Sequence, residues 1–583
     1  MLLSPVPENN VSLMMVEAGL TVIALAIPFA LPRLGHAGFC RIERAFANLA
    51  RRRGIATAAV GLAALLLRLA IIPFCPVPLP FIPDDFSFLL AANTFAQGRL
   101  TNPTPAMWIH FESIHITMQP TYMSMYFPSV GLVLAAGKVL FGNPWAGILI
   151  SSALMCAAIC WMLQAWLPPT WALLGGVLAI LRLGLFSYWI NTYSAGGALA
   201  ALGGALVLGA LPRFTRDPRL RYGVLLAIGL AMLATSRPYE GLLLSLAACV
   251  YLGHWLLFGK NRPSAFALMR MSALPLAILI AAGSWMAYYD YRAFGKATTL
   301  PYSVNRATYA VAPYYVWQSA RPEPVYRHEV LRNFYTQNEL TAFNKIHKLS
   351  GFMPETIFKA MRCFEFYAGI ALLPPLIMMR RVFRDRRIRF LVWSVFLLAA
   401  GMTIEIFFIP HYVAPFTAVF YAIGLQAMRH LRVWTPGNQP VGRTMVRLIV
   451  TVCLLVACMR LFPGPLKLAL PEYPASNWTD RWYGPDHFGT ERAGIESRMQ
   501  QMPGQQLILV RYSALHNPLN EWVYNGPDID ASKVVWAREM DAPHNLELMR
   551  YYPNRQVWLV EPDSLPAAVS PYPSTAEPAQ PSH

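Results

Sequence analysis

Apolar runs separated by short polar loops recur along most of the chain, and several approach the roughly 20 residues that cross a hydrocarbon core. They lie near 11–31, 57–74, 145–163, 171–189, 196–211, 222–234, 241–257, 271–287, 367–379, 390–408, 412–426 and 446–461. The pattern predicts an all-α polytopic membrane bundle of about twelve spanning helices. One further run, 130–141, is shorter. Its about 12 residues rise only ~18 Å against a ~30 Å core, which places it at the membrane interface. Beyond the last span, short apolar runs at 507–510, 534–536 and 557–560 with a helical stretch at 545–552 predict a small α/β unit.

The chain thus divides into 1–55, an N-terminal extra span with a basic loop; 56–463, the main membrane module; 464–562, the α/β domain; and 563–583, a tail rich in Pro, Ser and Ala that is expected to be disordered. Two long polar segments, 75–127 and 288–366, interrupt the membrane module. No internal repeat is evident, which argues against a transporter built on inverted repeats.

Composition supports the membrane reading, because 56% hydrophobic and 13% charged residues leave more apolar surface than a soluble fold hides. The net charge of +18 is gathered in short loops between spans, so it reads as a topology signal, and no nucleic-acid partner is expected. The loop bearing Arg33, Arg41, Arg44, Arg51, Arg52 and Arg53 is the strongest cytoplasmic marker. Keeping every basic loop inside requires that 130–141 not cross. Segments 75–127, 191–193, 236–240, 288–366 and the chain after 462 then face outward. The first run follows Glu8 and no Lys or Arg, unlike a secretory signal, and is expected to be retained. The cysteines read as packing residues, with Cys75 and Cys363 the pair placed to form a disulfide. Asn477-Trp478-Thr479 is an outward-facing glycosylation sequon.

The chemistry-bearing residues gather on the outer side. Pro83-Asp84-Asp85-Phe86 follows the second span directly. Two adjacent carboxylates are costly there, and they suit either the first turn of a helix or an acid–base pair. Arg237, in Ser236-Arg237-Pro238-Tyr239-Glu240, stands at an outer helix end, where it can meet a phosphate or pair with Glu240. His411, beside Tyr412 and after Pro410, occupies another helix end. Asn191 and Tyr193 lie in an outer turn, and His110, Glu112 and His115 in the first outer loop are possible metal or acceptor ligands. Asp528 and Asp530 read as turn residues.

An early span, an acidic pair and a long outer loop together resemble the GT-C superfamily of membrane glycosyltransferases. The similarity is greatest to the protein O-mannosyltransferase and lipid A aminoarabinose transferase group. It is carried by Asp84-Asp85, the stretch 86–101, and Gln119-Pro120-Thr121-Tyr122 leading to Tyr126-Phe127-Pro128. The resemblance implies a GT-C-like bundle whose substrates are a polyprenyl-phosphate sugar donor and a lipid, glycan or protein acceptor. It implies Asp84 as general base, with Asp85 assisting or, together with His115, holding Mg²⁺ or Mn²⁺. Arg237, Glu240, His411, Tyr126, Asn191 and Tyr193 are assigned to donor phosphate and sugar. Where the family commonly presents Lys before Tyr-Pro-Pro, this chain has Met125, and the second proline is Ser129.

Three other readings compete: a lipid or glycan transporter, a glycan polymerase or ligase indifferent to Asp84, and a degenerate member of the superfamily. A transporter predicts ionisable residues along a path through the membrane, for which Arg182 and Glu405 are the main candidates. The short Arg-rich inner loops suggest a bacterial inner membrane with a periplasmic active face.

Overall fold

The computed structural model describes residues 11–194, 196–259, 261–463, 465–469 and 489–573; the sequon at Asn477 lies outside them. Among the described residues, seven helices are long and apolar enough to cross a membrane by length and composition: Leu13–Ala30, Arg53–Ala70, Trp145–Trp166, Gly197–Arg216, Pro238–Phe258, Ala265–Phe294 and Val441–Met459. The chain is an integral, multi-pass membrane protein.

The expected count of about twelve spans is therefore not reached by this measure. Runs 171–189, 222–234 and 390–408 form the shorter apolar helices Pro169–Gly184, Leu220–Ala234 and Arg389–Ile404. Run 412–426 opens as the 3-10 turn Pro410–Phe416 and continues as the helix Thr417–Arg432. Run 367–379 is not a straight span, because Ser350–Tyr367 and Ile370–Arg384 meet at 97°.

The break has local causes. Gly369 sits at φ 71°, and Pro374 and Pro375 follow, so neither the dihedrals nor the hydrogen bonds of a continuous helix are available. Backbone groups freed within a membrane need partners. Arg182 Nε donates to the Phe366 carbonyl at 3.1 Å and the same guanidinium donates to the Glu365 carbonyl. On the far side of the break, Glu17 Oε1 accepts the Ala371 N–H at 3.0 Å. A Cβ added at 369 would stand 2.4 Å from Arg182 Nη1. Arg182 thus caps the break.

The basic segment of 1–55 proves to be an amphipathic helix, His36–Arg51. Its Glu43 pairs with Arg432 at 3.0 Å and with Arg447 at 2.9 Å, tying it to the last two bundle helices. Run 130–141 forms the 14-residue helix Pro128–Phe141, only about 21 Å long. Gly197–Arg216 occupies the centre, with 83% of its apolar window buried. There Gly204 meets the Pro415 carbonyl so closely that a Cβ would lie 1.9 Å from it. All eight cysteines are free, so the Cys75–Cys363 disulfide is not formed.

The C-terminal unit is a four-stranded sheet in the order Val534–Arg538, Gln505–Val510, Arg555–Glu561, Ala568–Pro571. The first three strands are parallel and the last is antiparallel. Ordered structure therefore passes the boundary at 562 and enters the stretch expected to be disordered. Alternation along Gln505–Val510 divides its side chains between two cores. Ile508 and Val510 pack with Ile495 and Met499 of the helix Thr490–Gln501. Leu507 and Leu509 pack with Leu548 and with Leu90, Phe111, Ile116, Met118 and Tyr122 from 75–127. One face of the domain is thus built into the segment 75–127.

A buried ion pair fixes this seam. Arg538 Nη2 meets Glu521 Oε2 at 2.7 Å, and Arg538 Nε donates to the Glu112 carbonyl at 2.6 Å. Ser113 Oγ donates to the same Glu521 carboxylate at 2.9 Å.

Candidate active site

The helix Pro83–Ala96 begins with proline at its first position and acids in its first turn. Both features suit a helix N-terminus, where proline loses no hydrogen bond and N–H dipoles favour carboxylates. The adjacent acids point to different surroundings. Asp85 is fully buried; its Oδ1 accepts the Tyr193 N–H at 2.9 Å and its Oδ2 the Phe81 N–H at 3.4 Å. Asp84 Oδ1 accepts the Tyr126 hydroxyl, and its Oδ2 lies 3.4 Å from His115 Nδ1. His115 Nδ1 is also 3.0 Å from the Tyr126 hydroxyl, closing a triangle.

Environment separates the two carboxyls electrostatically. Burial and then the charge of Asp84 push Asp85 up to about 7. Burial acts on Asp84 in the same direction, but His115 and the Tyr126 hydrogen bond outweigh it and hold Asp84 below the usual carboxylate range. A neutral-pH site thus presents an ionised Asp84 beside a carboxyl that titrates near neutrality.

Aromatic rings wall the site. Phe88 stacks on Tyr126 at 4.2 Å between centroids, Tyr302 meets Tyr126 edge-on at 5.5 Å, and Phe334 meets His115 at 5.3 Å. His115 holds a φ of 63°, rare for a residue with a Cβ, and this turn aims its ring at Asp84.

Arg237 lies 3.7 Å from Glu240, and its guanidinium stacks over the Tyr412 ring at 4.7 Å. Its charge also reaches Tyr302 and Glu405. His411 points elsewhere. It is buried, with Nδ1 2.9 Å from the Tyr188 hydroxyl, which also accepts the His411 N–H. Tyr412, its neighbour in the chain, is the residue on which the Arg237 guanidinium stacks.

Asn191 and Tyr193 act on the scaffold. Asn191 Oδ1 accepts from Arg68 Nη2 at 2.9 Å and its Nδ2 donates to the Ser187 carbonyl at 3.0 Å. Tyr193 offers Asp85 its backbone, so the turn is pinned to the start of the acidic helix. Arg68 itself donates to the Cys75 and Pro76 carbonyls.

The metal expectation does not fit these contacts. His115 faces Asp84, and both Asp85 oxygens are taken by backbone N–H groups. Among the described residues no group of three or more His, Cys, Asp or Glu converges as metal ligands. Asp528 pairs with Arg99 at 2.7 Å, and Asp530 accepts the Tyr551 hydroxyl at 2.9 Å.

Several site residues carried no motif. A cavity of about 480 Å³ is lined almost wholly by apolar side chains, among them Phe364, Tyr367, Leu372, Leu398 and Phe420. It lies against both arms of the broken helix. Lys359 stands on its lining, donating to the Met402 carbonyl at 3.1 Å and to the Glu405 carbonyl. Glu405 is buried, and among the described residues its Oε2 has no hydrogen-bond partner. Glu405 thus links the cationic edge of the apolar cavity to the Arg237 cluster. Glu405, a lone charge within an apolar run, carried a sequence signal; Lys359, with Glu355 and Arg362 a turn away, and Tyr302, one tyrosine among many, had none.

No family model and no curated protein matches the chain. Among solved structures, ArnT from Cupriavidus metallidurans bound to undecaprenyl phosphate is 14% identical, with 87% of this chain and 92% of that one covered and a TM-score of 0.47. The Archaeoglobus fulgidus oligosaccharyltransferase in complex with Zn and sulfate is 10% identical, covering 87% and 67%, with a TM-score of 0.44. AglB from the same organism, in complex with an inhibitory peptide and a dolichol-phosphate, is 10% identical, covering 87% and 69%, with a TM-score of 0.44.

Proposed function

We propose that the chain is an inverting membrane glycosyltransferase that moves a sugar from a polyprenyl-phosphate donor to an acceptor hydroxyl or amine at the outer, periplasmic face of a bacterial inner membrane. The observation that carries this reading is an ionised, partly open carboxylate, Asp84, held by Tyr126 and His115 on the side of the molecule where Arg237 lies among the same aromatic rings.

In this mechanism the acceptor oxygen or nitrogen attacks the anomeric carbon and forms the new glycosidic bond. The bond from that carbon to the phosphate oxygen breaks, and the lipid phosphate leaves with the electron pair. Asp84 takes the proton that the acceptor gives up. Tyr126 and His115 hold the carboxylate in one orientation, so no reorganisation is needed as the proton moves. Arg237 stabilises charge on the leaving phosphate. The apolar cavity suits a lipid chain entering laterally, with Lys359 near its phosphate end.

Direct binding tests the donor assignment. A Cβ added at Gly424, on the cavity lining, would meet nothing within 4 Å, so Gly424→Leu starts its side chain in open space and takes up room in the cavity. Undecaprenyl phosphate is expected to bind the wild type in nanodiscs and to lose about tenfold or more in affinity to Gly424→Leu and Lys359→Ala. Equal binding to all three proteins contradicts the assignment.

A further inference from the structure

A second, polar cavity of about 110 Å³ lies on the outer face, between the first outer loop and the segment 308–331. Trp108, Glu112 and Thr117 line it from one side, and Thr308, Tyr309 and Arg327 from the other. Its chemistry differs from that of the apolar cavity. Glu112 is buried, accepts the Tyr309 hydroxyl at 2.9 Å, and lies 3.5 Å from Arg327 Nη1. The Arg327 guanidinium stacks on the Trp108 ring at 4.7 Å. His328 Nε2 closes the far side of Glu112 at 3.6 Å.

A carboxylate, a guanidinium and two threonine hydroxyls beside aromatic rings make an uncommon lining. The polar groups give donors and acceptors at fixed spacing for vicinal hydroxyls. The rings offer apolar faces for the C–H side of a pyranose. A peptide or lipid chain needs neither a buried Glu112 paired with an exposed Arg327 nor so small a cavity. Two residues of chain lie between Glu112 and His115, so their Cα atoms are within about 11 Å. The cavity therefore borders the Asp84 site through a single loop.

We propose that this cavity is a saccharide subsite and that the acceptor of the reaction is a glycan, held here beyond the unit that reacts at Asp84. The proposal rests on the transferase reading and names the acceptor class within it.

The test separates the two. Wild-type protein in nanodiscs, without donor, is dialysed to equilibrium against radiolabelled chitobiose, mannobiose and lactose. Saturable binding of at least one is expected in the wild type and in Asp84→Asn. Trp108→Ala should weaken it about tenfold or more. Thr308→Trp, a change at an exposed position that fills the mouth, should abolish it. In a transfer assay with the bound saccharide as acceptor, Thr308→Trp should raise the acceptor KM while leaving donor affinity unchanged. No saturable binding by the wild type, or binding indifferent to both variants, overturns the subsite. An unchanged acceptor KM overturns the acceptor role. Failure of the transferase reading shows instead as equal transfer by wild type and Asp84→Asn, whatever the dialysis result.

Discussion

Asp85 Oδ1 accepts the backbone N–H of Tyr193 at 2.9 Å, joining the start of the acidic helix to a turn 108 residues away. Two adjacent acids are thereby divided into one that builds the site and one that is exposed to it.

That division predicts a pH signature. Burial and the neighbouring Asp84 raise Asp85 from 3.8 to about 7. Between these values the folded state holds a proton that the unfolded chain has released, so stability falls as pH rises through that interval and stays lower above it. Asp85→Asn keeps an oxygen for the Tyr193 N–H but cannot ionise. Melting of wild type and variant in nanodiscs should be similar near pH 4. At pH 8 the variant should melt at a higher temperature than the wild type.

For Asp84 the sign is opposite. His115 and Tyr126 hold its pKa down against burial, so Tyr126→Phe or His115→Ala lets it rise. The acid limb of kcat/KM should move to higher pH by roughly one unit or more in either variant, with a smaller loss at pH 8 than at pH 6. Unmoved limbs would mean that Asp84 is not the titrating base.

Arg237 lies over Tyr412 and near Glu240, a planar site that a lysine cannot reproduce. Arg237→Lys should cost about tenfold or more in kcat/KM for the donor, and Arg237→Ala about a hundredfold, with acceptor KM less affected. Steady-state kinetics in both substrates checks this.

At the seam between the first outer loop and the C-terminal domain, Glu521→Ala strands the buried Arg538. The expected cost is about 3–5 kcal/mol of stability. A Glu521→Leu and Arg538→Met double variant should lose less than Glu521→Ala alone, because no charge is left unpaired. Thermal unfolding of the three proteins reads the difference directly.

The acidic helix was legible because proline followed by two acids after an apolar span admits few other structures. The spans were legible where apolar length was decisive, as in Trp145–Trp166. Length misled at 367–379, where Gly369, Pro374 and Pro375 outweighed apolarity once Arg182 and Glu17 could cap the break. His36–Arg51 looks like a loop in the sequence because its arginines mark topology and its helical pattern is only half apolar. Within the site, Tyr126 and His115 were named but not paired. Their meeting depends on a positive φ at His115, which sequence does not advertise in a residue other than glycine. The side chains of Asn191 and His411 are engaged by Arg68 and Tyr188, partners distant in sequence that no local pattern reveals.

The most direct test of the whole account is transfer of radiolabelled sugar from a panel of polyprenyl-phosphate donors into lipid, glycan and protein fractions by wild type and Asp84→Asn. The account predicts transfer by the wild type and a loss of about a hundredfold or more in a variant that folds and still binds donor. Equal transfer by both proteins, or transfer by neither, would contradict it.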